Sequence, residues 1–465
     1  MKVLLVTHDF LPRHRAGVEI HAFQTALGLR ERGLEVRVFT TEKALAHREG
    51  TLLEDRFEGI PVIRMVRNRM FRSFRETWDF PPAEAAFGKV LAAFRPEAVH
   101  FHHLLYLSLS LPRAAAEAGI PVIFTLHDYW LQCRLMGQRL DPWGEVCMEV
   151  DSKRCGACLL ASPPEGAGPL KRLASRLMTG VRSLTGVDLG PAARRAGLLL
   201  GGLGRQGKPR PPDFPPERLE EARSRIEERW RAVKERVVPP TKIFLSPSRF
   251  LLEEMAGFGI PREKLRLFRL GVERLRIPRE PRRGKVRFAF FGTVAPHKGV
   301  HVLLEAFRGL SGKADLVIHG GAPYHPSYGR RIAELCREVG ARWTGAYRPA
   351  ELPRLLGRCD CLVVPSIWLE NSPLTILQAR AAGIPSVVSG MGGMAELVAR
   401  GGGWTFPPGD AGALHALLEE LAGCPGRIEE AGAQAPPVPD VEQNVRELAD
   451  LYASLSGPPP GKEEG

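Results

Sequence analysis

The chain has 465 residues, 44% hydrophobic and 25% charged. That length exceeds one ordinary core and implies two or more soluble globular domains, and no apolar run approaches the ~20 residues of a membrane-spanning helix. A net charge of +13 points to an anionic partner, and eight cysteines in a chain this long make no disulfide framework.

In chain order, KVLLVTH (2–8) reads as a buried strand. Its apolar part is too short, and Asp9 follows too soon, for a secretory signal, so a cytoplasmic location is expected. Ile20, Phe23 and Leu27 recur at helical spacing over 18–32, Gly33 ends that pattern, and VRVFT (36–40) is a second strand. Strand, helix, strand is a βαβ unit and predicts a parallel sheet. EAVHFHH (97–103), a helix after Leu111, IPVIFTLHD (120–128) and KIFLSPS (242–248) with a helix near Arg249 repeat the theme.

Residues 133–240 break the rhythm and read as an insertion: a cysteine-containing loop, a Gly/Pro/Arg-rich region, then a charged helix over 216–237. The Pro- and Arg-rich stretch 274–285 is the linker. Alternation of strand and helix then restarts at VRFAFFG (286–292) and continues to about 430, with a C-terminal helix and disordered tail over 431–465. The prediction is an α/β chain of two tandem, doubly wound, Rossmann-like domains, 1–273 and 286–430. Ligands in such sheets lie beyond the carboxyl ends of the strands, so the cleft between the domains is the expected site.

Two stretches suit that cleft. In WLENSPLTILQ (368–378), Pro373 fits the first turn of a helix that Asn371 or Ser372 can cap. A helix start is an anion site, and Glu370 just before it can accept hydrogen bonds from sugar hydroxyls. Gln378 lies within reach of a nucleotide's other end. In FFGTVAPHKGV (290–300), Gly292 ends a strand and Lys298-Gly299 opens a helix, where an ammonium group can neutralise phosphate. Neither stretch has the spacing of a Walker loop or a dinucleotide fingerprint. Each also admits a plain structural reading, as a capped helix and a solvated lysine.

Taken together the motifs resemble retaining glycosyltransferase family 4, a group of GT-B architecture. They are Ala16-Gly17 before the first helix, Thr125-Leu126-His127, Pro247–Phe250, Gly292–Gly299, Glu370 with Gln378, and Gly392-Gly393-Met394-Ala395-Glu396. Two positions depart from the family pattern: Thr293 replaces its phosphate-binding Arg and Gln378 its second Glu. The resemblance implies metal-independent transfer of a sugar from a nucleoside diphosphate to an acceptor hydroxyl, with retention and without a catalytic cofactor. Lys298 would carry the diphosphate charge, Glu370 would orient the donor sugar and His127 would touch it from the other domain. Backbone amides near Gly17, Gly292, Thr293 and Ser372–Leu374 would complete the donor site, and His103 is a candidate on the acceptor side. Truncating Lys298 or Glu370 would then cost turnover and leave melting nearly unchanged. A sugar-nucleotide epimerase on the same fold, and a non-catalytic sugar-nucleotide or polyanion binder, are the competing readings.

Two features remain beside that frame. Cys133, Cys147, Cys155 and Cys158 supply the ligand count of a structural zinc, or are free thiols. The segment 165–210 holds nine Lys/Arg against two acids, more than half the net charge, with Leu170, Leu173, Leu177 and Val181 at helical spacing. Such a helix can lie on an anionic membrane and would suit a lipid-linked acceptor, or it is a packed helix with solvated arginines. Without interleaved aromatics it does not suggest nucleic acid.

Overall fold

The computed structural model describes residues 1–456, apart from residue 70, the stretch 165–212 (of which only 177, 181 and 185 are described), residues 275–276 and residue 283. Fourteen strands form two sheets among the described residues. The first contains β1 (Lys2–Val6), β2 (Glu35–Glu42), β3 (Leu52–Phe57), β4 (Ile60–Val66), β5 (Ala98–Phe101), β6 (Val122–Thr125), β7 (Thr241–Ser246) and β8 (Leu265–Leu267). The second contains β9 (Val286–Phe291), β10 (Ala314–His319), β11 (Arg342–Gly345), β12 (Cys361–Val364), β13 (Ser386–Ser389) and β14 (Gly403–Phe406).

The second sheet runs β11-β10-β9-β12-β13-β14 and is parallel throughout. That is the doubly wound order, with its topological switch between β9 and β12. The first sheet repeats it as β4-β2-β1-β5-β6-β7, extended by β8 at one end and antiparallel β3 at the other. Its switch point lies between β1 and β5. The β3–β4 hairpin was not expected from sequence. It turns on Glu58 and Gly59, both at positive φ (47° and 76°), a tight turn matched to strand twist. The central strands are apolar on both faces because helices cover both, which is why they read as continuous runs rather than alternating ones.

One apolar cluster extends from Trp78 and Phe87 in the first domain through Leu251 and Met255 to Leu377 and Met394 in the second. The domains thus share a packed contact through the helices Arg249–Phe258 and Gly392–Val398. The helix expected at 216–237 spans Pro216–Arg236.

The last helix, Val441–Ser456, returns to the first domain. Val445, Leu448 and Tyr452 join the cluster that holds Val3, Leu5 and Leu29. Gly28 permits the approach: a Cβ there would meet Val445 at 2.6 Å. Tyr452 Oη lies 2.6 Å from His100 Nδ1, while His100 Nε2 lies 2.7 Å from Thr125 Oγ1. Tyr452→Phe leaves that buried nitrogen without a partner and is expected to lower stability by about 1–3 kcal/mol, measured by denaturant unfolding.

Candidate active site

The loops leaving β9 and β12 flank the switch point of the second sheet. The β9 loop holds Gly292 (φ 146°), exposed Thr293, the turn Pro296–Lys298 and Gly299 (φ 67°). It is pressed against the β12 loop. Ile367 N donates to His297 O at 2.9 Å, and a Cβ on Gly299 would stand 1.8 Å from Pro365 O. The contact brings Lys298 Nζ to 2.5 Å from Glu370 Oε1, which also accepts from Ser366 Oγ at 2.9 Å. Lys298 Nζ lies 5.0 Å from the centre of the Trp368 ring. Burial by itself would push the Glu370 carboxyl up, but the Lys298 ammonium and Ser366 hydroxyl outweigh it and hold it below 4.5. Gly299→Ala adds a clash to a left-handed backbone and is expected to separate the two loops. Destabilisation of about 2 kcal/mol or more is predicted, read from the melting curve.

The next residues depart from expectation. The helix spans Leu374–Ala381, its N-cap is Pro373, and no side chain caps it. Asn371 is drawn elsewhere: its Oδ1 accepts from Ser248 Oγ, and its Nδ2 donates to His127 O at 3.2 Å. It ties the two domains together instead of closing the helix start. Ser372 and Gln378 are half-buried. Glu396 makes a second tie. Its Oε2 accepts from Arg249 N at 2.7 Å and Phe250 N at 3.2 Å, and its Oε1 pairs with Arg269 at 2.5 Å. A carboxylate from one domain thus caps a helix of the other. Within the second domain, Gly393 lets the helix Gly392–Val398 pack onto the β12 loop, since a Cβ there would stand 1.6 Å from Asn371 O.

Across the cleft, Gly17 is the exposed first residue of the helix Gly17–Glu31, with open space where a Cβ would be. Ala16 is the N-cap of that helix, and its amide donates to Glu19 at 2.9 Å. His127 follows β6, and its Nε2 lies 3.2 Å from His102 Nδ1. Burial holds His127 and His102 well below 6.5, as neutral imidazoles. His103 is engaged on both nitrogens, Nε2 at 3.1 Å from Asp128 and Nδ1 accepting from Leu105 N at 2.9 Å. An acceptor would have to displace one of these partners.

Thus Lys298, Glu370 and the helix start at Leu374 come together in the second domain, and Asn371 joins them to His127 of the first. Sequence reasoning missed Ser366 and Trp368, which lie four and two residues before Glu370 but carry no motif spacing. It missed His21 and the role of His102, which only folding brings to His127.

Cys155 and Cys158 lie on the helix Ser152–Ala161, and none of the four cysteines of the cluster is in a disulfide. Burial and then mutual repulsion with Cys133 and Cys147 raise the Cys155 thiol; burial is also the main cause that pushes Cys158 up to about 12. The basic segment 165–210, with the amphipathic pattern over 170–181, lies almost wholly outside the described residues, as does the tail 457–465. Among the described residues no helix is long and apolar enough to cross a membrane. A cavity of about 730 Å³ opens beside β9–β11, lined in part by Arg287, His319, Thr344 and Tyr347; neither Lys298 nor Glu370 lines it.

Residues 15–158 match the model of Glycosyltransferase Family 4, and residues 273–436 match that of Glycosyl transferases group 1. With these two domains in tandem, the chain belongs to the GT-B glycosyltransferases. It is 28% identical over 200 residues to the amylovoran biosynthesis glycosyltransferase AmsK of Erwinia amylovora, covering 40% of this chain and 49% of that one. It is 29% identical over 219 residues to the putative colanic acid biosynthesis glycosyltransferase WcaL of Escherichia coli, covering 42% and 53%. The chain therefore spans about half the length of the curated relatives it matches. In fold it is similar to Anabaena HepE in complex with UDP, at a TM-score of 0.63 and 14% identity over 98% of this chain and 100% of that one.

Proposed function

We propose that the protein transfers a sugar from a nucleoside-diphosphate sugar to an acceptor hydroxyl, with retention of anomeric configuration and without a catalytic metal. The observation that carries this reading is the Lys298–Glu370 pair at the switch point of the second sheet, with the adjacent Asn371 bonded to the His127 carbonyl of the first domain. Without donor, the ammonium is held by the carboxylate. An arriving diphosphate competes for Lys298, and the uncapped amides at Ser372 and Leu374 add donors to its oxygens. Glu370, released from the ammonium, accepts from the sugar hydroxyls. The Gly292–Thr293 backbone and the amide of Gly17 complete the cradle from either side, and Gln378 reaches the nucleoside end. Thr293 is exposed and uncharged, so the phosphate charge falls chiefly to Lys298.

The relatives named for amylovoran and colanic acid synthesis favour an envelope or exopolysaccharide product, and the HepE complexes with UDP and UDP-glucose favour a nucleotide-sugar donor. A saccharide or lipid-linked acceptor and peripheral contact with an anionic inner-membrane face belong to the same proposal. So does a structural zinc on Cys133, Cys147, Cys155 and Cys158, checked by the metal content of wild type against a Cys155→Ser/Cys158→Ser double variant.

A thermal-shift panel of UDP-, GDP- and ADP-sugars tests donor binding. The bound donor is then incubated with and without acceptor saccharides, and the anomeric configuration is read by NMR. Retained glycoside formed only with acceptor is expected. A new sugar nucleotide formed from donor alone would establish the epimerase reading, binding without turnover the non-catalytic one, and no stabilisation by any donor would overturn all three.

A further inference from the structure

Imidazoles converge at the carboxyl ends of β5 and β6. His21 comes from the helix Gly17–Glu31, His102 from the end of β5 and His127 from the end of β6. One ring nitrogen from each lies within 4.8 Å of the other two. The three ring centres form a near-equilateral triangle, 5.4 Å from His21 to His102, 5.2 Å from His21 to His127 and 5.5 Å from His102 to His127.

Two further observations concern the nitrogens. His102 Nδ1 and His127 Nε2 are 3.2 Å apart. Two nitrogens bound at ~2.0–2.1 Å to one tetrahedral zinc stand roughly 3.3 Å apart, so this spacing suits shared coordination as well as it suits a hydrogen bond. His21 Nδ1 is buried and has no hydrogen-bond partner. A buried imidazole nitrogen without a partner is costly and asks for a reason.

We propose that His21, His102 and His127 form a three-imidazole site for a divalent transition cation, zinc being the natural occupant. The proposal shares His127 with the sugar-transfer reading, but its metal-binding test stands or falls without any measurement of transfer. Its consequence for the cleft is structural: a cation on His127 Nε2 fixes that ring against β5 and the first helix.

The full chain carrying Cys155→Ser and Cys158→Ser, stripped with chelator, is titrated with Co²⁺. This background weakens competition from the thiols, and any remaining thiolate binding shows as a near-ultraviolet charge-transfer band. One equivalent of cobalt is expected, with the visible d–d absorption of a nitrogen-ligated ion and no thiolate band. His21→Gln, a conservative change near the start of a helix, and His102→Ala should each weaken cobalt binding by about 10–100-fold. Circular dichroism of the metal-free variants reports folding separately. Absence of stoichiometric cobalt or zinc binding at micromolar metal in the folded parent overturns the site, as does binding that His21→Gln leaves unchanged or that shows only thiolate bands.

Discussion

Glu370→Gln is expected to lower kcat/KM for sugar transfer by about 10²–10³-fold, the loss typical when one preorganised electrostatic group is removed from an active site. The carboxylate is buried, accepts from Lys298 and Ser366, and is the acidic group that this loop presents to the switch point. Glutamine keeps the shape and one carbonyl oxygen but brings no charge. It no longer holds the ammonium in register, nor draws a sugar hydroxyl with the same strength. Lys298 keeps partial access to solvent in this variant, so the melting temperature should stay within a few degrees of wild type. Steady-state kinetics with the donor identified by thermal shift, together with a melting curve, checks both halves. A variant with wild-type kcat/KM would move the chemistry away from residue 370.

Lys298→Ala is the second large effect, and here the pair changes what the sequence implied. Two separate chemical roles suggested loss of turnover without loss of stability. In the fold the two groups are partners, so the truncation leaves a buried carboxylate without its cation. A cost of about 1–3 kcal/mol follows, below that of breaking a fully buried pair because Lys298 retains 24% of its side-chain surface. The sign with pH is fixed by Glu370, whose carboxyl is held below 4.5 in the folded wild type. Its contribution is present above the unfolded value and is lost as pH falls through the folded one. In the variant burial is opposed only by neutral hydrogen bonds such as that from Ser366, and the carboxyl rises. The stability gap between wild type and variant should therefore be small below about pH 4 and widen as pH rises toward 6. A gap independent of pH would show that the lysine acts through packing alone. Turnover should fall with it, by about 10²-fold or more, with KM for the donor raised, since the diphosphate loses its ammonium.

Local chemistry made much of this protein legible. Apolar runs such as KVLLV and CLVV, separated by helical spacing and glycine, spell parallel strands covered on both faces, and their repetition spells two sheets. Glu370 and Lys298 stood out because each sits where a strand hands over to a helix. The β3–β4 hairpin escaped because its turn, Glu58-Gly59, lacks the usual Asn-Gly signal. Asn371 misled because a polar side chain before a helix has a ready local use, and a long-range partner, Ser248, overrode it.

The sequence by itself determined the class of fold, the order of its parts and the two loops where a donor would sit, since backbone preference and hydrophobic period act over a few residues. Only the tertiary structure decided that those loops touch. The order β9-β12 at the switch point and the close approach of Gly299 to Pro365 place an ammonium on a carboxylate 72 residues away. It also decided that Asn371 and Glu396 clamp one domain to the other, that the last helix buries His100, and that His21, His102 and His127 meet. Pairings of that kind depend on distance through space, which no spacing along the chain encodes.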